Sequence, residues 1–361
     1  MHRAFYTKPD KRGLWLYSRQ PIKAIPQERI LAPGEGPVSR AAHLRWHPLR
    51  QEWVIYAAHR QDRTYMPGRD SNPLAQSEDP NRPTELPVGD YDVAVFENRF
   101  PSLVLHPEQP DSVAGVASKP AVGRCEVIVF SADPELSLWM LPVDHIALVL
   151  EVLADRTVEM AASGISYVLP FENRGTEMGV TLHHPHAQIY GYGFVPAEMS
   201  RAGAALSLHK EKCAEDLVVR LAQDERAMRI RLVAEADHAV AFVPPFARFP
   251  YETWLVPLRP GADLINLTGP ERTDLAWLLK EVLQRLDRLW GVPMPYLMTV
   301  NQAPSEATDH PEWTLRIEIW PTRRSREKLK FLAGTELAAG VFASDVLPET
   351  AAAQLRAVRC E

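Results

Sequence analysis

The sequence predicts an α+β chain in which one unit, an antiparallel sheet with packed helices, is used twice. Three observations lead there. Two long stretches pass through the same kinds of element in the same succession, offset by roughly 130 to 150 residues. The apolar runs are mostly short and β-rich, as in Trp53-Val54-Ile55-Tyr56 and Cys125 to Phe130. The 361 residues include 32 prolines, which implies many turns and strand ends. Apolar residues at 46% and charged residues at 24% are the balance of a globule with a sizeable core. That balance excludes a disordered chain, and no run approaches the ~20 apolar residues of a membrane span. The net charge of −6 supplies no basic field for a nucleic-acid backbone, so neither nucleic acid nor a membrane is an expected partner.

Residues 1 to 42 are punctuated by Pro, Arg and Gly and are expected to be an arm lying on a surface. The N-terminus MHRAFYTKPDKRG lacks an apolar secretory core. Cys125, Cys213 and Cys360 are too few and too scattered for a disulfide framework or a four-thiolate zinc site. A reducing cytoplasm is the expected compartment. The first unit, residues 43 to 197, opens with the strand around Trp53, the polar turn His59 to Arg63 and a Pro-rich loop over 67 to 90. Strands at Tyr91 to Phe96 and Cys125 to Phe130 follow. Then comes a helix over 143 to 164, with Ile146, Leu148, Val149, Val152 and Leu153 on one side. ISYVLPFENRG and HHPHAQIY close the unit as strands. The second unit, residues 198 to 361, repeats the plan. DHAVAFVPPFARFPYETWLVPL is followed by the helix ERTDLAWLLKEVLQRLDRLWG and by the strands YLMTVNQAP and EWTLRIEIW.

The most informative segment is Thr181 to Tyr190, TLHHPHAQIY. In an extended strand His184, His186 and Gln188 share one face, while Pro185, Ala187 and Ile189 take the other. Pro185 suits an edge strand or a strand start. A neutral imidazole with one nitrogen bare is a good nucleophile toward phosphorus, provided an acceptor fixes its other nitrogen. Gln188 can donate to phosphoryl oxygens without carrying a proton of its own to transfer. Asn173-Arg174-Gly175 and Gly179 add an amide and two positions where backbone can approach a phosphate. The competing readings are a structural histidine cluster and a zinc site. The second lacks a cysteine pair, and alternate residues of one strand rarely complete a tetrahedron.

PFENRGTEMGVTLHHPHAQIYGYGFVP resembles the signature of galactose-1-phosphate uridylyltransferases, a branch of the histidine triad superfamily. RWHPLRQEWVIYAAHRQDR, YDVAVFENRFPSL, FVPPFARFPYETWLVPL and KLKFLAGTEL extend the likeness from about residue 43 to 357, in family order. The resemblance implies two tandem histidine-triad-like modules in one pseudo-symmetric unit, the second silent because TLRIEIW has no His-x-His. It implies a ping-pong transfer in which His186 takes UMP from UDP-glucose and releases glucose 1-phosphate. Galactose 1-phosphate then collects the UMP as UDP-galactose. Gln188 would bond the phosphoryl group, and the carbonyl or side chain of His184 would orient His186. Histidine triad hydrolases carry a third histidine where Gln188 stands. An amide there cannot activate water, which favours transfer over hydrolysis.

By position, Phe96, Asn98 and Phe100 match a uridine-binding strand and turn. Asn173, Gly179 and Thr181 match contacts around the phosphates and ribose, and Arg60 and Arg63 a phosphate-facing pair. Lys330, Phe331, Ala333, Thr335 and Glu336 match a loop that reaches the hexose of the partner subunit, so a homodimer is implied. Two metal sites of relatives look dismantled. The loop over 67 to 90 has no cysteine, Pro134 stands near a lost histidine, and only His184 survives of the zinc set. Asn301, Arg316, Glu318 and Ala202 replace the second set, so no metal cofactor is expected, and an Arg316–Glu318 ion pair is a natural substitute. Val180 and Arg99 also depart from the family, and Arg99 bears on base preference. Two alternatives remain. One is an ADP-sugar or dinucleoside polyphosphate phosphorylase using the same nucleotidyl-histidine, and the other is an inactive nucleotide-binding scaffold.

Overall fold

A computed structural model describes residues 1–34, 36–62, 67–68, 71–305 and 310–360. Its first half contains β1 (His2–Thr7), β2 (Gly13–Ser18), β3 (His43–His47), β4 (Glu52–Tyr56), β5 (Val93–Glu97), β6 (Ser118–Pro120) and β7 (Gly123–Val129). It closes with α1 (Val143–Ala162), β8 (Tyr167–Arg174) and β9 (His186–Tyr192). The second half opens with α2 (Ala197–Cys213), α3 (Leu217–Met228), β10 (Leu232–Glu235), β11 (Ala239–Phe242) and β12 (Thr253–Pro257). It continues with α4 (Gly269–Arg288), β13 (Tyr296–Asn301), β14 (Arg316–Pro321), β15 (Arg323–Ser325), β16 (Lys328–Leu329) and α5 (Pro348–Ala357).

Eleven of these strands make one antiparallel sheet, in the order β1-β2-β5-β7-β9-β8-β13-β14-β12-β11-β10. The repeat is visible in that order. β5-β7-β9-β8 is mirrored by β13-β14-β12-β11, and the equivalent strands β8 and β13 pair with each other from Tyr296↔Arg174 to Thr299↔Phe171. The two modules are therefore joined edge to edge, which removes an open edge from each. β9 begins at His186 and β14 at Arg316, so Arg316 and Glu318 are the second module's counterparts of His186 and Gln188.

The sheet is covered differently on its two faces. On one, α1 and α4 lie over Val95, Ile128, Ala187, Ile189, Met298, Val300, Ile317 and Ile319 in a single core that spans both modules. The helices form where the apolar spacing put them. Ile146, Leu148, Val149, Val152 and Leu153 are all buried. In α4, Thr268 and Glu271 close a capping box ahead of Leu275, Leu278, Leu279, Val282, Leu283 and Leu286. On the other face of the first module, a smaller cluster joins Leu14, Leu16, Ala94, Phe96, Val127 and Val129 to Ile25, Ile30, Leu74 and Leu86 from the loops. Loops cover a sheet less completely than helices do, and the cavity described below lies on this face.

Residues 1–42 differ from expectation. They are not an arm on the surface: β1 and β2 form a hairpin that extends the main sheet beside β5. Leu14, Trp15, Leu16 and Tyr17 are all at most 2% exposed. Because both faces of β2 are covered, GLWLYS shows no polar alternation, and the surrounding Pro and Arg residues hide the strand. The strand around Trp53 also sits apart, in a three-stranded sheet of order β4-β3-β6.

The seam between the modules contains a buried acid. Glu172 is 2% exposed and accepts a hydrogen bond from the Tyr296 hydroxyl at 2.9 Å. Desolvation pushes its carboxyl up to about 7, against the pull of Arg174 and the Tyr296 bond. Between the ordinary carboxylate range and pH 7 the folded chain therefore holds a proton that the unfolded chain releases. Stability from this group is present at low pH and is lost as pH rises, by about 3 kcal/mol across the window. Glu172→Gln should accordingly gain on the parent as pH rises from 5 to 8, in thermal midpoints measured side by side. A constant gap would contradict this.

Candidate active site

The register places Phe96 beside Val127, Val127 beside Gln188, and Gln188 beside Phe171, so their side chains form one row on one face. His186 stands in the next row on that face, beside Val129. Above these rows is a cavity of about 480 Å³. Its floor includes Phe96, Val127, Phe171, His186 and Gln188, and its walls include Pro33, Gly34, Leu74, Glu85 and Leu182.

His186 is held for one task. Its Nδ1–H donates to the carbonyl of His184 at 2.8 Å, and because a carbonyl only accepts, the tautomer is fixed. Nε2 keeps its lone pair, with no hydrogen-bond partner among the described residues, in a ring that lines the cavity. Desolvation lowers the pKa of this imidazole from 6.5, only partly offset by the bond to His184. The neutral ring is the resting form. Gln188, two residues on, points from the same face.

The side chain of His184 does not share that face. β9 starts at His186, with Pro185 just ahead of it, and the chain bends at His183 and His184. The His184 ring is 1% exposed; its Nε2–H donates to Ser131 O at 2.8 Å, and Nδ1 accepts from Asn72 Nδ2 at 3.1 Å. Asn72 Oδ1 in turn accepts from the backbone N–H of Leu74 at 3.0 Å. His184 thus orients His186 through its carbonyl and fastens a wall loop through its ring. β9 is also central, flanked by β7 and β8, because Pro185 lies outside the ladder where its missing N–H costs nothing.

Most of the other expected residues converge here. Asn98, Phe100, Asn173, Gly179 and Thr181 line the cavity. The Phe100 N–H donates to Asn98 Oδ1 at 2.8 Å, which leaves the amide NH₂ of Asn98 as a donor. Gly179 sits at φ 74°, a conformation open to glycine, where the chain turns toward Val180 and Thr181. Arg60 is set by the turn Ala58–Asp62, which docks through His59 Nε2–H to Pro101 O at 2.8 Å and Arg60 to Phe100 O at 2.6 Å. Arg60 and Thr181 also border an adjoining groove of about 840 Å³ with His43, Arg45, Tyr56 and His59 on its walls. Arg63 lies outside the described residues. Arg174 faces away, paired with Asp287 through bonds of 2.6 and 2.8 Å.

Lys330, Phe331, Ala333, Thr335 and Glu336 are not among the residues that line this cavity. Lys330 pairs with Glu336 at 2.9 Å, and Glu336 accepts from the backbone of Ala333, which makes a compact exposed loop. Pro33, Gly34, Leu74, Glu85 and Leu182 were not foreseen as cavity residues. They belong to irregular segments with no periodicity, and only the covering of β5 and β7 brings them in.

The chemistry of the donors does not suit the metals of relatives. Both ring nitrogens of His184 are occupied. At the second set Arg316 Nε donates to Glu318 Oε1 at 2.6 Å, so a guanidinium stands where a cation would have to bind. Trp320 Nε1–H donates to Glu318 Oε2 at 3.1 Å, and Asn301 bonds Thr299. Among the described residues no three His, Cys, Asp or Glu side chains gather to hold a metal.

Comparison with known proteins agrees with this arrangement. Residues 35–196 match the family model described as galactose-1-phosphate uridyl transferase, N-terminal domain, and residues 205–361 match its C-terminal domain. Galactose-1-phosphate uridylyltransferase of Thermotoga maritima is 34% identical over 325 residues, which covers 88% of this chain and 99% of that protein. A solved uridylyltransferase structure superposes with a TM-score of 0.78 at 30% identity, over 87% of this chain and 97% of that one. An ADP-glucose phosphorylase from Arabidopsis thaliana, solved with ADP-glucose, shares the fold at 23% identity and a TM-score of 0.67, over 89% of this chain and 100% of that one. With one antiparallel module used twice, a bare imidazole nitrogen on the fifth strand of the sheet and both family domains matched, the chain belongs to the galactose-1-phosphate uridylyltransferase family and is a transferase.

Proposed function

We propose that this enzyme transfers UMP from UDP-glucose to galactose 1-phosphate through a covalent uridylyl-His186. Nε2 of His186 attacks the α-phosphorus, a P–N bond forms, and the bond to the β-phosphate oxygen breaks with departure of glucose 1-phosphate. A phosphate oxygen of galactose 1-phosphate then attacks the same phosphorus, which frees the imidazole and yields UDP-galactose. Gln188 donates to a non-bridging oxygen in both steps. As a neutral amide it cannot take a proton from an attacking water, so the intermediate persists until a sugar phosphate arrives. Phe96, Asn98 and Phe100 receive the nucleoside; Asn173, Gly179 and Thr181 flank the phosphates; Arg60 and Arg63 meet their charge. The observation that carries this reading is the bond from His186 Nδ1–H to the His184 carbonyl, which leaves Nε2 as the nucleophile.

No step needs a metal, and the paired Arg316 and Glu318 make the second module a scaffold. The loop of Lys330, Phe331, Ala333, Thr335 and Glu336 serves the hexose site of a partner in a homodimer. It projects with Phe331 75% and Leu337 60% exposed, a costly display for a monomer. Sedimentation as a fully active monomer would contradict the dimer. Three unpaired cysteines suit a cytoplasmic setting, and no helix among the described residues is long and apolar enough to cross a membrane.

Incubation with UDP-glucose and mass spectrometry of the intact chain tests the mechanism. A UMP adduct on His186 is the expected result, discharged by galactose 1-phosphate. An AMP adduct formed faster from ADP-glucose and discharged by inorganic phosphate would favour a phosphorylase. No adduct from either donor would leave a nucleotide-binding scaffold.

A further inference from the structure

Residues 1–34 precede the part of the chain that the family model matches, which begins at residue 35. They nonetheless build one wall of the active-site cavity. Pro33 and Gly34 line it directly. The charged turn between β1 and β2 reaches two further lining residues, Glu85 and Arg99, by side-chain contact. Lys8 and Arg12 both hold Glu85 Oε2, Arg12 at 2.9 Å, and Lys8 also donates to the Glu85 carbonyl at 3.0 Å. Asp10 Oδ2 is held by Arg12 Nε at 2.7 Å, and the same oxygen lies 3.7 Å from Arg99 Nη1. Lys8, Asp10 and Arg12 are all at most 9% exposed. Ordering this many charges out of water is expensive unless each is paired, so their arrangement is rigid.

We propose that this N-terminal hairpin sets nucleobase specificity by holding Arg99 as a donor toward the carbonyl edge of the base. Two strand spacings, about 9.5 Å, separate Gln188 on β9 from Phe96 on β5 across the row they share. With phosphorus at His186 and Gln188, the base reaches the end of β5, where Phe96, Asn98, Arg99, Phe100, Pro33 and Gly34 line the cavity. Arg99 follows Asn98 there. Its guanidinium lies so close over Gly34 that a Cβ at that position would come within 2.3 Å of Nη2, and Gly34 itself sits at φ +78°. Asp10 and Gly34 thus confine the guanidinium without consuming all its donors. Uracil offers carbonyl oxygens to such a fork. Adenine offers an amine and ring nitrogens, and its amine confronts the cation as a second donor. Arg99 is therefore a specificity residue and Asp10 a positioning residue.

The inference rests on the His186 reading only for where the phosphate sits. Equilibrium binding of UMP and AMP, followed by titration calorimetry, tests it without any chemistry. The parent is expected to prefer UMP. Arg99→Met should weaken UMP by about tenfold to a hundredfold and leave AMP within about twofold, which is the effect of one charged hydrogen bond. Asp10→Asn should move the ratio in the same direction by less, and the UDP-glucose KM should rise with kcat little changed. Equal loss of UMP and AMP in Arg99→Met would put the guanidinium on the ribose or phosphate and overturn the proposal. So would an unchanged ratio. A missing His186 adduct in a parent that still prefers UMP would instead sink the transfer mechanism and leave this inference standing.

Discussion

Glycine in place of His186 is expected to lower the rate of UMP transfer by on the order of 10⁴-fold or more, with UDP-glucose affinity within about tenfold of the parent. The proposed attacking atom is lost, and no second imidazole is among the residues lining the cavity. Gln188 and Asn98 present amides, and Arg60 and Arg99 present cations that cannot shed a proton. In the proposed binding mode the substrate meets Phe96, Asn98, Asn173 and Arg60, which this substitution leaves in place. The mass spectrum of His186→Gly after incubation with UDP-glucose should show no added UMP, and a retained adduct would assign the nucleophile elsewhere. The pH profile separates this role from a structural one. Attack needs the unprotonated ring, and desolvation at the cavity floor holds its pKa below 6.5. The acid limb of the first half-reaction should therefore be centred below pH 6.5, with full activity above it. A limb centred above 6.5 would mean that another group titrates.

The second large effect concerns stability. Arg316→Met should cost about 3–5 kcal/mol, the usual loss when one partner of a buried ion pair is removed. Arg316 is 8% exposed and Glu318 4%. Without the guanidinium, Glu318 keeps only the Trp320 indole as a donor. It also faces Glu252, a buried carboxylate that accepts from the backbone of Arg248 and Phe249 and from the Trp254 indole. Desolvation already pushes the Glu252 pKa up, and Glu318 adds to the shift. The double change Arg316→Met with Glu318→Leu removes both charges and should recover most of the loss. Urea unfolding midpoints of the two single variants and the double variant measure this directly. If the double variant is as unstable as Arg316→Met, the strand needs the pair for more than charge balance. At the positions related by the repeat, an imidazole and an amide face a cavity, while a guanidinium and a carboxylate neutralise each other inside the core.

Sequence alone settled the doubled α+β plan, because helices such as α1 and α4 carry their apolar faces in local spacing that needs no partner to be read. It also settled the pairing of His186 with Gln188, since two residues along any strand return to the same face. The Arg316–Glu318 bridge follows from that rule as well. Tertiary packing decided the rest. Whether His184 aligned with them depended on where β9 began, and the ladder with β7 starts only after Pro185. β2, the inner strand of the N-terminal hairpin, is buried on both faces, so it lacks the alternation that marks a half-exposed strand. Pro33, Leu74 and Glu85 are brought to the cavity over His186 by loops draped across β5 and β7, and long-range contacts of that kind leave no period in a sequence.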